Sequence, residues 1–169
     1  MREKKYKSGF TLIEVLIAIL LIGIAVVSLV AANGAFTKAN GAGTDLSTAE
    51  FLVEQIRELN ALLPVIDPGS TVWTFGPEDG ETLLADYDDL DDFDGFNSAA
   101  LGAPIDANRI PLVDLAAFSQ QITVEKVNNS DFELVVDDND PTSHFVRVTV
   151  RVYLNSKEIS STSWLRAQY

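Results

Sequence analysis

The residues whose types and spacing could do chemistry are carboxylates in the middle of the chain. Nine acidic residues and no basic residue lie between positions 78 and 94. The densest part of this run holds five aspartates: Asp88, Asp89, Asp91, Asp92 and Asp94. Because hard cations prefer several oxygen ligands from a compact stretch, the run predicts either a calcium site or a solvated acidic loop. Calcium is the one cofactor that the sequence suggests.

The acidic run differs from the calcium-binding loop of an EF-hand. Aligning Gly95 with the glycine of that loop puts Leu90 and Leu101 where acidic ligands are required. Apolar side chains between the acids are expected to anchor the loop and to force its carboxylates outward. These apolar residues are Tyr87, Leu90, Phe93 and Phe96.

A catalytic arrangement is not recognisable in the sequence, which predicts that the protein is not an enzyme. The single histidine, His144, precedes a predicted strand and has no obvious partner. The serines lack a nucleophile-elbow sequence, and the glycines form no phosphate-binding loop. The chain has no cysteine, which excludes disulfides, thiol catalysis and cysteine-based metal sites. A membrane-anchored hydrolase that uses the acidic run is the least favoured class.

The elements that must position these residues begin with an apolar run near the N-terminus. Residues 10–32 contain one charged side chain, Glu14. A helix of 23 residues extends about 34 Å, which is enough to cross the hydrocarbon core of a bilayer. A carboxylate inside a membrane costs roughly 3 kcal/mol unless a partner compensates it. Any account of the chain must therefore explain Glu14.

Charge is distributed unevenly around the apolar run. Residues 1–9 carry four basic side chains and one acidic side chain, although the whole chain has a net charge of −13. Basic residues on one flank predict that this flank stays in the cytoplasm and that the acidic body lies outside it. Nucleic acid is not an expected partner, because a phosphate-binding surface needs a basic patch and the body shows none.

The junction between the basic and apolar segments resembles the class III signal peptide of type IV pilins and type II secretion pseudopilins. The matching stretch is KSGFTLIEV, residues 7–15. The resemblance implies that a prepilin peptidase cuts after Gly9 and methylates the new N-terminal residue, Phe10. Glu14 matches the family's characteristic glutamate, which would pair with the cationic N-terminus of a neighbouring subunit. The implied partners are the peptidase, other pilin or pseudopilin subunits, and the inner membrane.

The apolar run has two other interpretations. An ordinary secretory signal peptide has a shorter apolar core, although residues 30–32 would serve as its cleavage site. A plain signal-anchor helix suits the length and flanking charge but leaves Glu14 unexplained. A different function class also stays open, a single-pass membrane-anchored binding module that does not polymerise.

The rest of the sequence predicts an α+β fold of the pilin type, a long N-terminal helix packed against a C-terminal antiparallel sheet. Removal of a leader, residues 1–9, would leave a membrane helix over 10–32 and its amphipathic continuation over 33–63. Residues 64–169 are expected to form a globular domain with an acidic loop over 78–96 and antiparallel strands over 118–166. The apolar stripe of the amphipathic part consists of Leu46, Ala49, Leu52, Val53, Ile56, Leu59 and Leu63.

Individual strands are predicted from alternating apolar and polar residues. The clearest covers residues 145–154, and others are expected around 122–124, over 132–136 and over 159–165. A short strand is also expected over 71–75. The glycines at 34, 41 and 43 predict a weak middle in the long helix, because each glycine costs about 1 kcal/mol in a helix interior.

The sequence as a whole indicates a structural subunit of a type IV pilus or a type II secretion pseudopilus. A minor subunit is favoured over a major one, because the globular part lacks a disulfide and carries an acidic insertion. The expected location is the inner membrane, with a single pass and the globular domain outside the cytoplasm, and then the filament.

Processing at the junction gives the first testable prediction. We expect the mature chain to begin at Phe10 with a methylated amino group, and mass spectrometry of the purified protein checks this. Replacing Gly9 with a larger residue should block the cut, whereas Ser8→Ala serves as the neighbouring control. A mature chain that begins at Asn33 would instead identify an ordinary secretory signal peptide.

Overall fold

A computed structural model describes residues 9–67, 76–138 and 140–168 of the chain. The chain divides into two compact units, Met1–Thr44 and Asp45–Tyr169. One long helix, α1 (Leu12–Ala61), is followed by three strands, β1 (Phe118–Val127), β2 (Phe145–Leu154) and β3 (Lys157–Ala167). Short 3₁₀ helices lie at Asp91–Phe93, Ser98–Leu101 and Val113–Leu115. The α+β class predicted from the sequence is confirmed.

Within the first unit, residues 12–32 of α1 are apolar on every side apart from Glu14 and Ser28. All of its side chains in this unit are exposed, among them the leucines, isoleucines and valines of residues 12–30. A helix that is apolar all round normally lies in a membrane or a protein core. The backbone stays helical through Gly34, Gly41 and Gly43, so the predicted weak middle does not interrupt the helix.

Within the second unit, α1 buries one face against the sheet. Its buried apolar residues are Ala49, Leu52, Val53, Ile56 and Leu59, which confirms most of the predicted stripe. Leu46 is wrongly included in that stripe, because it lies one turn before the first core residue and is 48% exposed. The helix ends at Ala61. The Arg166 guanidinium on β3 then donates to the carbonyls of Asn60 and Leu63 and satisfies acceptors at the helix end.

The sheet is antiparallel in the order β1-β2-β3. Strand β2 has the bounds that the alternation predicted, and its inward valines at 146, 148, 150 and 152 are fully or almost fully buried. Asn155 and Ser156 connect β2 to β3 with φ angles of 49° and 67°. Two consecutive residues with positive φ are typical of the tight turns whose twist matches a hairpin.

The strand predicted over residues 132–136 does not form. The side-chain oxygen of Asn128 accepts the backbone N–H groups of Ser130 and Asp131, which turns the chain directly after β1. Such local side-chain bonds compete with a strand ladder. Only a single bridge between Val127 and Val135 extends the pairing. The strand predicted over 71–75 lies outside the described residues.

Gln120 on β1 is a buried polar group that joins three parts of the second unit. Its amide nitrogen donates to the carbonyls of Leu52 on α1 (3.0 Å) and Ile105 (3.1 Å). Its amide oxygen accepts the backbone N–H of Ile105 at 2.8 Å, and its own N–H donates to Ser98 Oγ at 2.8 Å. One side chain therefore joins β1 to the backbone of the helix and to the backbone at Ile105.

Removing the Gln120 amide tests this connection. We expect Gln120→Leu to lower the free energy of unfolding by about 2–3 kcal/mol, because the Ile105 N–H is left buried without a partner. Urea unfolding of the detergent-solubilised chain, followed by tryptophan fluorescence, measures the change. The matched control is Gln121→Leu, at the half-buried next position, which should change stability by less than about 1 kcal/mol. Equal losses in the two variants would contradict the role of Gln120.

Candidate functional site

The first candidate site lies at the start of α1. Gly9 and Phe10 precede the helix and are exposed. The Thr11 backbone N–H donates to the Glu14 carboxylate at 2.8 Å, and the Thr11 hydroxyl donates to the same oxygen at 2.9 Å. The Glu14 N–H donates back to the Thr11 hydroxyl at 3.3 Å. This reciprocal pattern is a capping box, in which threonine and glutamate satisfy each other's backbone donors.

The capping box gives Glu14 a partner inside its own chain. The sequence identified Glu14 as an uncompensated acid, and the Thr11–Glu14 spacing could have revealed this local partner. Only one carboxylate oxygen of Glu14 accepts these hydrogen bonds. The charge of Glu14 has no counter-charge close to it in sequence among the described residues of this unit. The first basic residue that follows it is Lys38. A cation brought by another molecule can still approach it.

The second candidate site is the acidic loop, residues 78–96, which is tied to the core at several points. The Leu90 N–H donates to the Pro64 carbonyl at 3.0 Å, just after the end of α1. The Ile122 N–H on β1 donates to the Phe96 carbonyl at 3.0 Å. Leu90 and Phe93 are fully buried. The predicted anchoring of this loop by its apolar residues is therefore confirmed.

The expectation that apolar anchoring would force the carboxylates outward is wrong. Asp89, Asp91 and Asp92 are 0–1% exposed. The Asp91–Phe93 segment forms a turn of 3₁₀ helix, which curls the acids inward together with Phe93. Asp88 and Asp94 stay exposed.

Backbone hydrogen bonds fix the orientation of the buried carboxylates. The Asp88 and Asp89 N–H groups donate to Asp92 Oδ2 at 2.8 and 3.2 Å. The Asp92 N–H donates to Asp89 Oδ1 at 3.3 Å. Both carboxylates also have a second oxygen, Asp92 Oδ1 and Asp89 Oδ2, which is buried and has no hydrogen-bond partner.

The loop brings its acids together in two overlapping groups that share Asp92. Glu78 and Asp89 form one group with it, and Glu81 and Asp88 form the other. In each group, one carboxylate oxygen from every member lies within 4.8 Å of the others. The glutamates of both groups were missed in the sequence, although they belong to the same acidic run and flank its first turn at Gly80.

Two aspartates of the predicted calcium site lie outside both groups. Asp94 Oδ1 accepts the Val124 N–H on β1 at 2.8 Å, so this carboxylate joins the loop to the sheet. Asp91 is buried and interacts electrostatically with Lys126, a buried lysine on β1. The sequence spacing alone could not separate these two aspartates from the other three.

Burial perturbs the acids of the loop. Desolvation, followed by the neighbouring Asp91 carboxylate, raises the pKa of Asp89 to about 8. Desolvation is likewise the largest cause that raises the pKa of Asp92 and of Glu78 to about 7, and that of Asp91 to about 6. At neutral pH the loop therefore retains protons or needs a counter-charge.

A comparison with protein-family models matches residues 4–30 to the prokaryotic N-terminal methylation motif. This motif is the signal of type IV pilins and pseudopilins. The chain is pilin-like in its motif and in its fold, a long N-terminal helix packed against an antiparallel sheet. Comparisons with curated proteins and with solved structures found no match.

The methylation motif explains why the first part of α1 is apolar. Among the described residues, α1 is the one helix long and apolar enough to cross a membrane. The motif implies processing by a prepilin peptidase and assembly with other pilin subunits in the membrane. Motif and helix together fit a membrane-anchored, structural protein that ends up in a filament.

The raised pKa values predict how stability depends on pH. Asp89 holds its proton up to about pH 8 in the folded chain, whereas an unfolded aspartate loses it near pH 4. The folded state therefore binds more protons between these values, so raising the pH removes stability. The lowered pKa values of Glu81 and Asp140 act in the opposite sense, below about pH 4.5.

With a chelator present, we expect the melting temperature of the detergent-solubilised chain to fall by at least about 5 °C between pH 5 and pH 8. Asp89→Asn should reduce this fall without abolishing it, because the amide does not titrate whereas Asp91, Asp92 and Glu78 still do. Asp79→Asn, in the exposed turn of the same loop, should leave the profile unchanged. A melting temperature that rises across this range in the wild-type chain would contradict the buried, protonated state of the loop.

Proposed function

We propose that the chain is a minor pilin or pseudopilin, assembled into a filament through the apolar part of α1. In this proposal the leader stays in the cytoplasm and the prepilin peptidase cuts after Gly9. The methylated Phe10 then forms the N-terminus of a single-pass inner-membrane subunit whose globular unit lies outside the cytoplasm. The observation that carries the proposal is one acid, Glu14, among the otherwise apolar and exposed residues 10–32, which overlap the methylation motif.

Glu14 supplies the specific contact of assembly. Its carboxylate keeps one oxygen outside the capping box with Thr11, and the cut at Gly9 creates a cationic amino group on Phe10. In the membrane, an amino group of a neighbouring subunit that reaches Glu14 compensates a charge that is otherwise costly there. Since only one axial position of the neighbour satisfies this pair, the contact sets the register between subunits.

The apolar surface around Glu14 supplies the non-specific part of assembly. The side chains of residues 12–30 are mostly more than half exposed. In the membrane these side chains face lipid, and in a filament outside the membrane they face the helices of other subunits. A surface this large and apolar cannot stay in contact with water, so leaving the membrane requires burial against other subunits.

A role as a minor subunit is supported by the second unit. Its acidic loop is built into the core at Pro64 and β1, so the loop is part of the fold of the globular unit. An elaborated loop of this kind suits a subunit present in few copies with a dedicated position. The alternative, an anchored binding module that does not polymerise, shares the loop and the capping box but does not explain the uncompensated charge of Glu14.

Two substitutions at Glu14 separate the charge pair from the capping box. Glutamine keeps an oxygen that caps the helix as glutamate does but loses the charge, whereas leucine loses both. We expect Glu14→Gln and Glu14→Leu both to insert in the membrane and both to lose at least about tenfold in filament incorporation. Shearing and immunoblotting of cells that express the assembly machinery measure incorporation. The control is Glu58→Gln, an exposed glutamate on the same helix, which should assemble normally.

The two variants also identify the other outcomes. Normal incorporation of Glu14→Gln with failure of Glu14→Leu would falsify the charge pair and assign Glu14 to helix capping alone. No incorporation of the wild-type chain, with normal membrane insertion, would identify the anchored binding module.

A further inference from the structure

We propose that the acidic loop binds a calcium ion at Asp92, the residue shared by the group Glu78, Asp89 and Asp92 and by the group Glu81, Asp88 and Asp92. Compared with the ligands predicted from sequence spacing, this set adds Glu78 and Glu81 and leaves out Asp91 and Asp94. It concerns the second unit alone and does not depend on the filament role of α1.

The separation of the carboxylate oxygens suits calcium. Ca²⁺ binds oxygens at about 2.3–2.6 Å, so two ligands on opposite sides of the ion are about 4.6–5.2 Å apart. The candidate oxygens of Glu78, Asp89 and Asp92 all lie within 4.8 Å of one another, as do those of Glu81, Asp88 and Asp92. Each set therefore has the oxygen spacing of ligands that share one calcium ion.

The unpartnered oxygens of the loop are the independent sign of a ligand. Asp89 and Asp92 are at most 1% exposed, and each has one oxygen with no hydrogen-bond partner. Buried polar atoms in folded proteins are nearly always satisfied, and an orphan atom often marks an ion or water that completes it. Because backbone N–H groups hold the opposite oxygen of each carboxylate, the orphan oxygens are fixed in place before any ion binds.

The donor set selects a hard cation. Every candidate ligand is a carboxylate oxygen, which suits calcium and magnesium rather than zinc or copper. The chain has no cysteine, and its one histidine, His144, just before β2, belongs to neither acidic group. Magnesium requires near-ideal octahedral geometry and gives up its waters reluctantly, so a crowded, carboxylate-rich loop favours calcium.

Calcium binding would fasten the loop to the rest of the second unit. The loop is joined to the end of α1 through Pro64 and to β1 through Val124. Repulsion among the ionised acids destabilises the loop between these joints, and a divalent cation offsets the repulsion. We expect an affinity on the order of 10⁻⁴ to 10⁻³ M, the range of extracellular calcium modules.

Calcium binding to the full chain in detergent, at pH 7.5 after chelator treatment, tests the proposal. Equilibrium dialysis with radioactive calcium measures binding, and tryptophan fluorescence follows the melting temperature. We expect 5 mM calcium to raise the melting temperature of the wild-type chain by about 5 °C, since a bound ligand stabilises the folded state. Magnesium at the same concentration should have less than half this effect.

Asp92→Asn is the decisive variant, because the asparagine oxygen still accepts the Asp88 and Asp89 N–H groups while the charge is lost. It should weaken calcium binding at least about tenfold, and its calcium-free melting temperature should equal or exceed that of the wild-type chain. Glu78→Gln should also weaken binding. Asp79→Asn, an exposed neighbour outside both groups, should bind calcium as the wild-type chain does.

Three results would overturn the calcium site. The first is an unchanged melting temperature with no bound calcium in the wild-type chain. The second is an equal response of Asp92→Asn and the wild-type chain. The third is an equal shift with magnesium or with sodium chloride at matched ionic strength, which would reduce the effect to general screening of acidic charge.

Discussion

The contact between one face of α1 and one face of the sheet is the interaction on which the second unit depends. An antiparallel sheet of three strands is stable only when its apolar face is covered. The helix covers it with Leu52, Val53 and Ile56, opposite the inward valines of β2. Burying each such side chain contributes roughly 1.5–3 kcal/mol. Polar contacts fix the position of the helix on the sheet. Gln120 on β1 donates to a carbonyl within the helix, and Arg166 on β3 donates to carbonyls at its end.

The acidic loop depends on that same contact. The turn at Leu90 is placed by its hydrogen bond to Pro64, where the helix has ended, and Phe93 fills the core beside it. Aromatic contacts support this position, because Tyr87 and Phe96 pack edge-on against the Phe93 ring. Burial of Phe93 draws Asp91 and Asp92 inward. The apolar core thus imposes an electrostatic cost on the loop, which a proton or a cation can offset.

Residues 10–32 of the first unit follow a different constraint, because their surface is suited to an apolar solvent. Internal hydrogen bonds satisfy polar groups in this part of the chain. The Ser28 hydroxyl donates to the Ile24 carbonyl at 2.9 Å, and Thr11 pairs with Glu14. The charge of Glu14 is the feature that this internal pairing does not neutralise. Lipid suits every other side chain of residues 10–32, so the acid is the one group in this run that favours a specific protein partner.

Local sequence patterns determined much of this protein. The methylation motif, the apolar run and the amphipathic stripe follow from residue types at fixed spacing, and the alternation of β2 gave its bounds to the residue. Tertiary structure decided whatever depends on distant neighbours. The alternation at 132–136 does not produce a strand, because the Asn128 side chain accepts the N–H groups of Ser130 and Asp131 and turns the chain there. The ligands around Asp92 could not be chosen from spacing, because the inward turn at Phe93 requires the core formed by α1 and β1.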